Sequence, residues 1–143
     1  KFVAIEQFAI RRSRAEYGRV SHALSAAIRS VLREYQVLIA QLEHQKSLGQ
    51  LSIQKLWFYI QPSMRTLEVL DQIARRTGSA TGGVLLNTIH QLASRGGDAK
   101  ARAVYTFLIQ NATVPYLEML ELWIYHGVIR DPYEEFMVRV DEE

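Results

Sequence analysis

Cysteine is absent from the 143 residues. Disulfide frameworks, thiol nucleophiles and cysteine-based zinc sites are thereby excluded, and the chain fits a reducing compartment. No apolar run approaches the ~18 residues that mark a membrane-spanning helix. The opening stretch KFVAIEQFAIRRSR lacks the long apolar core and small-residue cleavage site of a secretory signal. A soluble protein outside the secretory pathway is expected. The three prolines and eight glycines gather into no linker or low-complexity tract. His22, His44, His90 and His126 are scattered without HExxH or similar spacing, so no metal is expected. The glycine-rich stretch TGSATGG lacks the Lys-Ser/Thr that completes a P-loop and follows no strand. No GxSxG elbow occurs, and the adjacent Glu134 and Glu135 would point apart on a helix. No cofactor and no enzymatic activity are expected.

What is present is an ordinary globular balance, 48% apolar and 22% charged. A chain of this length buries about two-thirds of its unfolded surface. One helical domain over residues 1–143 is expected, with residues 1–17 left open as a flanking linker. The net charge of +2 is small, but its distribution is uneven. Residues 1–35 hold seven basic groups against three acidic, whereas residues 114–143 hold eight acidic groups against Arg130 and Arg139. Arg11, Arg12, Arg14 and Arg19 on one side, and Asp131, Glu134 and Glu135 on the other, are candidates for steering a head-to-tail encounter with a neighbour. Two solvated surfaces account for the same pattern. The first residue is Lys rather than Met and the last are VDEE, with no closing element, which reads as a segment of something longer.

Apolar spacing is helical nearly throughout. Leu24, Ile28, Val31, Tyr35, Leu38 and Leu42 step by threes and fours between Gly18 and Gly49, and Leu32 and Ile39 widen the stripe beyond a coiled-coil seam. Ser52 is placed to cap a short helix to Ile60, with Pro62 ending it or opening the next. Val84, Leu85, Ile89 and Leu92 predict a helix stopping at Gly96-Gly97, and Asp98 caps its successor. Pro115 predicts a kink or restart capped by Thr113. The apolar stretch Tyr116 to Tyr125 is expected to sit centrally, with Gly127 terminating it. Residues 128–140 allow a short strand or an irregular turn. The fold expected is an all-α antiparallel bundle.

Two segments go further. LSIQKLWFYIQPSMRTLEVLDQIA (Leu51 to Ala74) and PYLEMLELWIYHGVIRDPYEEFMV (Pro115 to Val138) resemble the gamma-tubulin complex component family. They resemble the N-terminal half of its shared core, often called the first Grip motif. The leading helix VSHALSAAIRSVLREYQVLIAQLE is similar to the family's helix before that region. The motif residues carried by this resemblance are Trp57, Phe58, Pro62, Met64, Trp123, Tyr125, Gly127, Asp131, Pro132, Tyr133, Glu135 and Phe136. Large rings at Trp57, Phe58, Trp123 and Tyr125 suit core anchors, and Phe136 and Met137 suit pinning the last segment onto the bundle.

The resemblance implies a non-enzymatic scaffold. Its N-terminal halves line up laterally into a helical or ring-like template, and its C-terminal halves each hold a gamma-tubulin that seeds microtubule growth. It implies other gamma-tubulin complex components as lateral partners, with gamma-tubulin bound through a second Grip motif that this chain lacks. Small Mozart-type proteins and centrosomal adaptors are further partners on the same analogy. The implied location is the cytoplasm and cytoskeleton, at a centrosome or equivalent microtubule-organising centre, with no nucleic acid and no membrane as partner. A basic helical nucleic-acid module and a helical adaptor of another family remain the alternatives.

Overall fold

A computed structural model describes residues 1–95 and 98–139. Among these, five α-helices follow one another: α1 (Phe2–Arg12), α2 (Gly18–Ser47), α3 (Ile53–Thr77), α4 (Gly82–Arg95) and α5 (Ala99–His126). An irregular tail, residues 127–139, closes the description. It contains no strand, which decides between the two forms expected there. Gly96 and Gly97, the expected stop of α4, lie outside the described residues, as does Val140.

Sequential helices run antiparallel, as the short turns predict. Lys1 lies near Glu68 (3.9 Å) while the Arg12 side chain reaches the Thr77 carbonyl, so α1 runs alongside α3 in the same direction. Arg65 pairs with Asp98 (2.7 Å), and the Tyr105 hydroxyl donates to Gln72 (3.3 Å), which sets α3 and α5 parallel as well. Arg19 at the start of α2 meets Glu118 far along α5 (2.5 Å), so α2 opposes both. The core forms where all five overlap. Leu24 and Ile28 of α2, Leu70 and Ile73 of α3, Leu85 and Ile89 of α4, and Leu108 of α5 have no solvent contact.

Residues 1–17, which the sequence allows as a flanking linker, contain the packed helix α1. Ile5, Phe8, Ala9 and Arg12 recur at helical spacing on the α1 face that enters the core. Ser52 and Asp98 cap as expected, accepting from the Lys55 N–H (3.2 Å) and the Ala101 N–H (2.6 Å).

Both prolines depart from expectation. Pro62 sits inside α3 and Pro115 inside α5, and neither breaks its helix. Pro62 is on the exposed side, where water can satisfy the carbonyl that its missing N–H leaves free. Pro115 is buried, so packing holds the helix through it. Thr113 is consequently no cap; its hydroxyl donates back to the Ile109 carbonyl (2.7 Å).

Helix length is the other surprise. α2 has 30 residues and α3 has 25, and both outrun the shared core at one end. Beyond Leu32 only Leu42 of α2 is buried, with Tyr35, Leu38 and Ile39 half-covered. The far half of α2 and the near half of α3 form a projecting hairpin, in which Ile39 and Leu42 face Leu51 and Leu56. At the opposite end the last turns of α5 run past the start of α2. The stretch Tyr116 to Tyr125 therefore is not central: Met119 is buried, but Leu117, Ile124 and Tyr125 are exposed.

Candidate functional site

The DPYEEF motif builds a latch. Gly127, with a left-handed backbone (φ 63°), ends α5. The N–H groups of Gly127 and Val128 donate back to the carbonyls of Trp123 and Leu122. Asp131 then organises a turn: Oδ2 accepts from the Phe136 N–H (2.6 Å), and its carbonyl accepts from the Glu134 N–H (3.4 Å). Pro132 restricts the backbone inside that turn. The turn drives Glu135 and Phe136 inward, leaving them 4% and 6% exposed. Phe136 packs on Tyr116 and Trp123 of α5, with ring centroids 5.5 and 5.9 Å apart.

Glu135 faces the other way and joins two helix starts. Its carboxylate accepts from the Arg19 N–H (2.7 Å) and the Val20 N–H (3.1 Å), which are orphan donors in the first turn of α2. A carboxylate there also meets the positive end of the helix dipole. The Glu135 carbonyl meanwhile accepts from the Gly83 N–H (3.2 Å) at the start of α4. Gly18 and Gly82 make room for this approach. A Cβ at Gly18 would overlap the Glu135 carboxylate and one at Gly82 its main chain, and both glycines have positive φ (83° and 53°). Burial pushes the Glu135 carboxyl above the usual range, against the pull of the two α2 N–H donors, and nearby Asp131 adds to the rise.

A second buried charge ties the other loop. Arg12 is 3% exposed, and its guanidinium donates to the carbonyls of Ala80 (2.7 Å), Thr77 (3.3 Å) and Gly78. These carbonyls lie at and just past the end of α3, the negative pole of that helix, and the Thr77 carbonyl also accepts from the Ala80 N–H (2.8 Å). The guanidinium also lies over the rings of Tyr17 (4.9 Å) and Phe8 (5.6 Å). The glycine-rich TGSATGG loop is thus held by α1.

These contacts revise the head-to-tail charge assignment. Arg12 and Glu135 are buried and spent internally. Arg19 pairs with Glu118, so the basic and acidic ends of the sequence meet within one molecule. Glu134 pairs with Arg139 (3.3 Å) and Arg14 with Glu16 (3.8 Å), while Arg11 is exposed. A groove of about 600 Å³ beside the latch is lined by Arg19, His22, Asn111, Pro115, Glu118 and Tyr133, and its strongest charges already pair with each other. Among the described residues no three His, Asp or Glu side chains gather as a metal site, and no helix is long and apolar enough to cross a membrane.

The motif rings divide. Phe136 is a core residue and Trp123 leans on it. Trp57 (59% exposed), Phe58 (71%) and Tyr125 (76%) are surface residues rather than core anchors, because each sits on a stretch of helix that no other described residue covers. Met64, Tyr133 and Met137 are also exposed, so Phe136 pins the tail without Met137. Asp131 is partly covered and Pro132 exposed. Arg12, a candidate steering charge, and Glu135, a motif residue and also a steering candidate, are both buried; the only signals in the sequence are an arginine in register with Ile5 and Phe8 and a glutamate next to an aromatic after Asp-Pro.

A helical core tied by two buried charges, with apolar side chains exposed on its helix ends, has the build of an interaction scaffold. The gamma-tubulin complex component N-terminal family matches residues 1–143, and the chain belongs to that family. It is 44% identical to gamma-tubulin complex component 2 of Mus musculus over 99% of this chain and 16% of that protein. Identity to component 2 of Arabidopsis thaliana is 40%, over 96% of this chain and 21% of the relative. Spindle pole body component alp4 of Schizosaccharomyces pombe is 29% identical over 97% of the chain and 24% of its own length. The WFYIQPSM and WIYHGVIRDPYEEFM patterns look most like component 2, and the identities agree, since component 3 of Homo sapiens reaches 29%. The chain thus spans between 16% and 24% of these component 2 and spindle pole relatives.

Proposed function

We propose that this chain is a scaffold segment of a gamma-tubulin complex component. In this reading it supports lateral assembly of the gamma-tubulin ring complex, and through it microtubule nucleation at a centrosome or equivalent organising centre in the cytoplasm. The observation that carries the reading is the pairing of family membership with apolar motif residues left on the surface, Trp57, Phe58 and Tyr125. Exposed apolar patches rimmed by polar groups mark interaction sites in soluble proteins. Other complex components are the direct partners proposed. Gamma-tubulin joins through the second Grip region, and Mozart-type proteins and centrosomal adaptors join at the periphery. Burial of Arg12 and pairing of Arg19 remove two groups that phosphate binding would need. The test is capture by the immobilised chain from purified proteins. Retention of other complex components, with gamma-tubulin retained only in their presence, supports the reading. Retention of gamma-tubulin alone, or of nothing, contradicts it.

A further inference from the structure

The turn between α3 and α4 gathers more positive charge than its surroundings neutralise. Arg11 and Arg12 end α1, Arg14 follows them, and Arg75 and Arg76 lie in the last turn of α3. Arg12 joins the two groups, since its guanidinium donates to the carbonyls of Thr77, Gly78 and Ala80. Arg14 pairs with Glu16 (3.8 Å) and Arg75 with Asp71 (3.0 Å). Arg11, Arg12 and Arg76 have no carboxylate partner among the described residues. Burial pulls the Arg12 guanidinium below its ordinary value; Tyr17 opposes that pull and Arg11 adds to it. Such a shift is expected of a buried cation bonded to neutral carbonyls.

Ser79 stands in the middle of this charge. It lies between Gly78 and Ala80, whose carbonyls Arg12 holds, and it is exposed. The other hydroxyls of the TGSATGG loop are less available: Thr77 is buried and donates to the Ile73 carbonyl (2.8 Å), and Thr81 is half-covered. Arg76 and Arg75 precede Ser79 by three and four positions, and no other serine or threonine of the chain has an arginine or lysine three positions ahead. Protein kinases select substrates by charge pattern, and one class reads an arginine at that position through an acidic cleft. The chain around Ser79 can reach such a cleft. Residues 78–81 lie outside any helix, and Gly78 takes a left-handed backbone (φ 47°). The end of α3 beside them is the part of a helix that frays at least cost.

We propose that Ser79 is a phosphorylation site for a serine/threonine kinase that selects arginine three residues before its acceptor, and that the phosphate tightens the junction of α1, α3 and α4. In the transfer, Ser79 Oγ attacks the γ-phosphorus of Mg-ATP. The Oγ–P bond forms and the bond to the β-phosphate oxygen breaks; ADP leaves, and the hydroxyl proton passes to the kinase's catalytic aspartate. The product sets about two negative charges and three acceptor oxygens one residue from the carbonyls held by Arg12, and three residues from Arg76. An anion at the end of α3 opposes the helix dipole. That effect is weaker than charge-assisted bonds to arginines without carboxylate partners. This regulation goes beyond scaffolding and does not depend on it.

The experiment treats the chain with Mg-ATP and calcium/calmodulin-dependent protein kinase II, its activity verified on a standard peptide, and maps phosphate by mass spectrometry. Phosphate is expected chiefly on Ser79, and Ser79→Ala should remove that signal. Arg76→Gln, an exposed change checked by circular dichroism, should slow modification at least tenfold, with Arg76→Lys in between. An unmodified Ser79 after treatment with active kinase overturns the site. So does modification of Ser79 that Arg76→Gln leaves at the wild-type rate. The purified phosphorylated chain should melt about 1–3 °C above the unmodified one, by a margin that shrinks with added salt. A melting point that is unchanged or lowered overturns the tightening.

Discussion

At the residue scale, two buried charges hold this molecule at its loops, and both are paired with main-chain dipoles instead of opposite charges. Glu135 satisfies N–H groups at the start of α2 and Arg12 binds carbonyls at and just past the end of α3. Removing either leaves buried partners unpaired, the expensive half of a hydrogen bond. Glu135→Ala should lower unfolding stability by about 2–3 kcal/mol, summing two orphaned donors and a lost helix cap. Arg12→Met should cost a similar ~2–3 kcal/mol, and Arg12→Lys less, since one ammonium keeps the charge without the planar fork. Denaturant titration measures both, and a change under about 0.5 kcal/mol at either site would class it with ordinary surface positions. The motif rings should separate in the same assay. Phe136→Ala should cost about 3–4 kcal/mol, while Trp57→Ser should stay within about 0.5 kcal/mol of wild type.

At the element scale, helical spacing disclosed nearly every helix, yet not where each would be covered. The stripe from Leu24 to Leu42 was legible because period alone defines a face. That its second half would project was not, since exposure depends on which other helices reach that level. The prolines were misread for a related reason. A local rule ends a helix at Pro62 or Pro115, but a 25- or 28-residue helix packed on its neighbours tolerates one missing bond. Pro62 is exposed, so Pro62→Ala should restore a main-chain bond without losing core contact and raise stability by about 1–3 kcal/mol. Pro115→Ala restores a bond but trims a buried ring, so its gain should be smaller. An equal or larger gain at Pro115 would mean that its ring contributes nothing to packing. The latch was legible only in part: Asp-Pro announced a turn, but the union of Glu135 with Gly18 and Gly82 joins residues more than fifty positions apart.

At the scale of the whole molecule, the charge asymmetry of the sequence folds back on itself, and its consequence is a pH profile with two opposed contributions. Asp98 at the start of α5 is held below the usual carboxylate range, first by the Ala101 N–H and then by Arg65. The unfolded chain therefore takes up that proton more readily than the folded one. The stability Asp98 contributes is fully present above its ordinary value near 3.9 and is lost as pH falls through the folded value. Glu135 behaves in the opposite sense. Its folded carboxyl is raised by burial, so the folded state holds the proton more tightly than the unfolded state. Its contribution is complete below an ordinary value of about 4.3 and declines as pH rises through the window above it. Differences between wild type and neutral variants isolate each group. The advantage of wild type over Asp98→Asn should shrink as pH drops below about 3.9, and its advantage over Glu135→Gln should shrink as pH climbs above about 4.3. Thermal unfolding of the three chains from acid to neutral pH measures both slopes. A wild-type advantage over Glu135→Gln that grows with pH would show that the α2 donors and the helix dipole outweigh burial at the latch. The carboxylate form would then be what fastens the tail.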